Sequence, residues 1–220
     1  MVLSLIELKE WFADLWNIIV DTNLSINNWR RLLKDKYEYD SKSKSFGFFK
    51  HHEYQLRFIA TIQLNKLLSN SNNDKRSFVH LFKQLNESDY DQDFKDLLEK
   101  NASTKADIFK TKSDIQTVIE FYEEKIANNS KSINKIVRAR HNLYAHKAPN
   151  PNVPEISIDE LEKLLELANE IYQVLSFGIF YSSPQITETQ AWDINPVLFH
   201  MNESYKDDRT EMDEKKKASV

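Results

Sequence analysis

The chain has no cysteine among its 220 residues, so a disulfide framework, a thiolate zinc site and a cysteine nucleophile are all excluded. Glycine occurs only at Gly47 and Gly178, which leaves few positions for positive φ and no room for a glycine-rich phosphate loop. All five prolines (Pro149, Pro151, Pro154, Pro184, Pro196) follow Ala148, so no residue in the first two thirds must break a helix interior. No apolar run reaches membrane-spanning length, and the opening Met1 to Glu10 meets charge too early for a secretory signal. The expectation is a cytoplasmic protein with no membrane partner. A net charge of -4 excludes a globally basic nucleic-acid binder, while leaving a local basic face open.

What is present is helical periodicity. Over residues 3–37, Leu5, Leu8, Trp11, Phe12, Leu15, Ile18, Ile19, Trp29, Leu32 and Leu33 recur at helical spacing, with Asn23 the weak point of the pattern. Residues 40–45 read as a polar loop, and a second long helix resumes over 48–68 through Tyr54, Phe58, Ile62 and Leu67. The breaker cluster at 69–73 precedes a short amphipathic helix carrying Phe78, Leu81, Phe82 and Leu85. Residues 86–112 are polar and acidic and read as a mobile connector with one modest helical candidate at 90–98.

Ser113 with Gln116 suggests a capping box that opens a fourth helix near Asp114. After a soft point at Asn128 and Asn129, Ile133, Ile136 and Val137 carry the pattern on until Pro149 forbids continuation, which puts His146 near a helix C-terminus. Ser157 with Glu160 marks another capping box, ahead of the strongest stripe in the chain, Leu161 to Leu175, ending near Phe180. The fold class expected is all-α, an antiparallel bundle of four to six helices. The domain plan is one helical domain over 1–181, an extension over 182–206 with a short helix near 192–201, and a disordered tail over 207–220.

One segment stands apart chemically. From Lys125 to Pro154 there is no Asp or Glu, while Lys125, Lys131, Lys135, Arg138, Arg140 and Lys147 are basic and His141 and His146 stand among them. Such a strip attracts polyanions, and an imidazole beside it can transfer protons near neutral pH. The plainer reading is that cations gather where they complement a helix C-terminus.

Within that strip, Val137-Arg138-Ala139-Arg140-His141-Asn142-Leu143-Tyr144-Ala145-His146-Lys147 resembles the signature of the HEPN superfamily, an Arg followed by a polar residue, a short spacer and a His. Arg140, His141, Leu143, Tyr144, Ala145 and His146 fit it, with five residues between Arg140 and His146. The order of two long helices, a short one, a motif helix and another long amphipathic helix fits as well. The chain is most similar to the abortive-infection (AbiU-like) branch, over residues 1–180. The resemblance implies a metal-independent RNA endonuclease, without cofactor, acting as a toxin or phage-defence effector.

In that scheme His146 is the general base or acid at the ribose 2′-hydroxyl or the leaving oxygen, Arg140 stabilises the phosphorane and His141 orients. Lys131, Lys135, Arg138, Asn142, Tyr144 and Lys147 are the expected RNA contacts, Tyr144 suiting packing before stacking. Six positions apart on a continuous helix means about 120° and about 9 Å, so one helix does not bring Arg140 and His146 side by side. The family's answer is a homodimer in which both motifs face one cleft, and an antitoxin or regulatory protein is a further expected partner. The toxin branch with nucleotidyltransferase antitoxins carries a Tyr two residues after the motif His. Here that place is Ala148, so adenylylation there is not expected.

Other candidates carry less. His51, His52 and Glu53 lack a further ligand at zinc-like spacing, so no metal is expected. His80 and His200 are isolated, and Trp11, Trp16 and Trp29 suit core or dimer contact. Glu7, Glu10 or Asp14 are options for a carboxylate near the basic cleft. Two rivals stay open: a HEPN-like RNA-binding or regulatory dimerisation module without chemistry, and an unrelated helical adaptor whose basic strip is only a solvated face.

Overall fold

Ser4 begins the first helix by accepting a hydrogen bond from the Glu7 amide at 3.1 Å, and the chain then runs as α1, Leu5–Leu33, unbroken at Asn23. A computed structural model describes residues 2–70, 75–106, 108–141, 156–186 and 192–218. After α1 come α2 (Asp40–Lys44), α3 (Gly47–Leu68), α4 (Phe78–Glu87), α5 (Gln92–Ala102), α6 (Lys112–Asn128), α7 (Ser130–Ala139), α8 (Ile158–Phe180) and α9 (Asn195–Ala218). The fold is all-α, its one sheet among the described residues being a two-residue parallel pair, β1 (Val2–Leu3) with β2 (Asp89–Tyr90). The helices outnumber the expected four to six because α2 forms where a loop was expected and Asn129 divides α6 from α7, while α5 falls on the candidate at 90–98.

The centre is α1 against α3 and α8. Leu8, Trp11, Phe12, Leu15, Ile19, Ile26 and Trp29 form the buried stripe of α1, each large side chain worth about 1.5–3 kcal/mol on burial. Both partners run antiparallel to it, which the cross-contacts fix. Trp29, late in α1, meets Glu53 and Arg57 early in α3, while Asp14 meets Arg76 beyond α3. Arg30 pairs with Asp159 and Glu162 at the start of α8, whereas Phe12 packs on Tyr172 and Phe180 near its end.

The segment expected as a mobile connector is instead built into the fold. Phe94, Leu98, Ile108 and Phe109 are buried, and Tyr90 stacks on Phe94 with ring centroids 4.2 Å apart. Asp91 accepts from the amides of Leu5 at 3.1 Å and Phe94 at 2.9 Å, so one carboxylate caps the starts of α1 and α5. Farther on, the Asn101 amide donates to the carbonyls of Phe109 at 3.1 Å and Ile179 at 3.0 Å, and the Phe109 amide donates to the Gly178 carbonyl at 2.8 Å. Phe109 comes so close to α8 that a Cβ on Gly178 would lie 2.3 Å from its ring. Polar composition hid this order because few apolar anchors and side-chain amides suffice to hold a short segment.

Two caps differ in outcome. The box expected at Ser113 and Gln116 sits two residues earlier: the Thr111 hydroxyl accepts from the Asp114 amide at 3.2 Å and Asp114 accepts from the Thr111 amide at 2.9 Å. The short Asp114 side chain reaches the cap amide as a Glu or Gln would. At α8 the expected box is present, with Ser157 accepting from the Glu160 amide at 3.2 Å and Glu160 accepting from the Ser157 amide at 3.1 Å.

At the other end, α9 continues to Ala218, replacing the disordered tail expected from Asp207. Its first half docks: Asn202 accepts from the Tyr39 amide at 2.9 Å, Tyr37 packs on Phe199, and Asn195 takes a bond from Arg31. From that anchored start, residues of good helix propensity carry the helix on, helped by pairs such as Lys206 with Glu203 at 2.8 Å. Among the described residues, no helix is long and apolar enough to cross a membrane.

Candidate functional site

Helix α7 follows α6 after a single turn residue, because Asn129 (φ -95°, ψ 7°) stops α6 and its own carbonyl accepts from the Ile133 amide at 3.1 Å to start the next helix. Ile133, Ile136 and Ala139 form the buried face of α7. Past Ala139 the backbone widens into a π-type turn at Arg140 and His141, a local form that recurs at functional sites. Arg140 is half-exposed and His141 exposed. His146, Asn142, Tyr144 and Lys147 lie outside the described residues.

At about 100° per residue, the side chains of α7 divide into separate faces. Lys131, Lys135 and Arg138 share one, since positions i, i+4 and i+7 superpose. Arg140 falls on the side opposite Lys131. Among the described residues of α7, the expected RNA contacts Lys131, Lys135 and Arg138 are therefore not gathered with Arg140. Acids from α8 also meet the strip. Lys135 is half-buried against Glu160 at 2.5 Å, and Lys125 pairs with Glu170 at 2.6 Å beside the Tyr122 hydroxyl. The hydrogen bond from Lys135, with that from the Ser157 amide, holds the Glu160 carboxyl below the usual carboxylate range. Burial, with Glu170 beside it, pushes the Tyr122 phenol well above its ordinary value. Lys131 and Arg138 remain exposed.

Arg140 lines an open cleft of about 570 Å³. Its walls are the end of α3 with Ser69 and Asn70, part of α4, the last turns of α6 and one face of α7. Leu68, Phe82 and Ile133 give it an apolar floor, each nearly or fully buried. Exposed Asn70, Glu123, Ser130 and Asn134 form a polar rim, and buried Asn65 and Ser69 also face it. An arrangement of one guanidinium, several amides and hydroxyls and an apolar base suits a ligand that is part anion and part flat ring.

Of the candidate residues named from the sequence, Arg140 alone lines this cleft among the described residues. Asn65 interrupts the apolar period of α3 at a buried position, which was the available signal, while residues 69–73 read only as a helix breaker. None of Glu7, Glu10 and Asp14 lines the cleft, and Asp14 faces Arg76 at 3.3 Å. Among the described residues of the connector at 86–112, none lines the cleft. On α3, His52 stacks on Phe48 with centroids 5.9 Å apart, an aromatic contact on the helix surface.

Residues 5–195 match the model of a HEPN family described as AbiU2. Neither the curated proteins nor the solved structures hold a match to the chain.

Proposed function

Since the chain belongs to the AbiU2 family of HEPN proteins, we propose that it is a metal-independent RNA endonuclease acting as a toxin or phage-defence effector. The observation that carries the reading is the seat of Arg140: the motif arginine lies on the wall of an open cleft with a polar rim and an apolar floor. In the proposed reaction the imidazole of His146 takes the proton of a ribose 2′-hydroxyl. The resulting alkoxide attacks the adjacent phosphorus. Arg140 stabilises the negative phosphorane oxygens, and the bond to the 5′-oxygen breaks as that oxygen takes a proton from the His146 imidazolium of the second protomer, leaving a 2′,3′-cyclic phosphate. His141 orients the phosphate. Asn142, Tyr144 and Lys147 contact the strand, and the outer face of Lys131 and Arg138 attracts it over longer range.

Two protomers pair so that both motifs serve one cleft, and a regulatory protein or antitoxin restrains the activity. The test is cleavage of single-stranded RNA by purified protein in EDTA. Arg140→Ala and His146→Ala are each expected to remove cleavage, and full activity in both overturns the proposal. A second reading is an RNA-binding HEPN module without chemistry, which rests on the family match and on the exposed Lys131 and Arg138. RNA binding without cleavage across pH and substrate would select it.

A further inference from the structure

Followed along α7, the cleft has two unlike ends. Ser130, Ile133, Asn134, Val137 and Arg140 line it at successive steps of three, one, three and three residues. At about 1.5 Å per residue, Arg140 stands roughly 15 Å from Ser130 along the axis. Glu123 and Ala127 belong to the Ser130 end, because α6 passes into α7 at Asn129. The span is longer than one nucleotide. It has a cation at one end, a carboxylate at the other, and an apolar floor with an amide rim between them.

These properties match consecutive nucleotides better than other ligands of similar size. A phosphate meets the guanidinium, a base lays its face on the partly exposed aliphatic side chains of Val79, Ile126 and Val137, and its edge meets amides and a carboxylate. An acyl chain or an apolar helix would desolvate Asn70, Asn134 and Glu123 without returning hydrogen bonds. We infer that the cleft is a base-binding subsite for single-stranded RNA, seating the base of a nucleotide next to the one whose phosphate Arg140 holds, with guanine favoured. The preference comes from Glu123. A carboxylate only accepts, and guanine presents N1–H and an N2 amine together on one edge, whereas adenine presents only its N6 amine there.

The inference rests on the RNA reading of the Arg140 site, but its test is independent of cleavage. The probes are the dinucleotides GpG and ApA with 2′-methoxy groups, which block attack by the 2′-oxygen, and inorganic phosphate, each titrated into the full chain. GpG is expected to bind about tenfold more tightly than ApA, and Glu123→Gln to bring the two within about twofold. Ala127→Trp and Ser130→Trp, at exposed positions of the cleft, are each expected to weaken GpG to the level of phosphate. Having both keeps the test intact if one variant fails to fold. Equal binding of GpG and ApA overturns the guanine preference, and GpG binding no tighter than phosphate, or unchanged in both tryptophan variants, overturns the subsite. RNA cleavage is measured alongside. Cleavage without dinucleotide binding removes the subsite and leaves the nuclease, whereas selective binding without cleavage removes the nuclease and leaves the subsite.

Discussion

Arg138 and Arg140 stand two residues apart at the end of α7 yet leave it about 200° apart, and only Arg140 lines the cleft. Their substitutions therefore have different effects. Arg140→Ala is expected to lower kcat/KM for RNA by about 100-fold or more, the usual cost of losing a charged group aimed at a developing oxyanion. Arg138→Ala is expected to leave the chemical step intact and to reduce the salt dependence of RNA affinity, by about one unit of slope or less. Single-turnover cleavage and binding titrations at several salt concentrations separate the two.

The contact between Phe109 and Gly178 predicts a stability effect without any polar group. Gly178→Ala places a methyl 2.3 Å from the ring and is expected to destabilise the fold by about 1–3 kcal/mol. Phe109→Ala loses packing and is expected to cost about 3–5 kcal/mol. In the double variant the methyl has room, so the combined loss in urea unfolding should fall short of the sum.

Asp40 is buried and accepts from the amides of Lys36 at 2.6 Å and Tyr37 at 3.0 Å, with the Arg31 guanidinium at 2.8 Å. Burial works to raise its pKa, but the two backbone bonds and Arg31 outweigh it, and the carboxyl titrates below its ordinary value. A group with a lowered folded-state pKa contributes stability above its unfolded value and loses it as pH falls through the folded one. Asp40→Asn is therefore expected to destabilise at pH 7, and its deficit relative to wild type to shrink below about pH 4. Asp40→Ala leaves Arg31 without its carboxylate and is expected to cost about 3–5 kcal/mol at neutral pH. Denaturant midpoints across the acid range check both.

The position of the α6 cap is testable by a pair of alanines. Thr111→Ala removes the hydroxyl that accepts from Asp114 and is expected to cost about 1 kcal/mol. Ser113→Ala, inside the first turn, is expected to be neutral within about 0.5 kcal/mol. Equal losses in thermal unfolding would move the cap back to Ser113.

The helices legible in the sequence were those whose apolar residues repeat over several turns. Leu8 to Trp29 and Leu161 to Leu175 each mark a buried stripe, and their extents follow from the stripe and the caps. The segment around Asn101 and Phe109 was not legible, because its order comes from bonds to Gly178 and Ile179, about 70 to 80 residues away, which leave no periodic trace. The same holds for the site. Arg140 belongs to a local string and could be read, whereas Asn65, Asn70 and Glu123 join it only after α3, α6 and α7 are packed. The acid-free run was real in the chain but misleading in space, since Glu160 and Glu170 arrive from α8 to meet Lys135 and Lys125.

The carboxylate of Asp91 ties the first turn of α1 to a point 86 residues downstream. During synthesis from the amino end, α1 leaves the ribosome before its second fastening exists, and its apolar stripe faces water until α3 and then α8 are translated. The opening turn closes only once Asp91 has been made, and the seam with α8 only after Phe180. A nascent chain stalled between those points would hold an unfinished bundle with Trp11, Phe12 and Leu15 incompletely covered. That is the interval in which chaperone capture or misassociation would act on this protein.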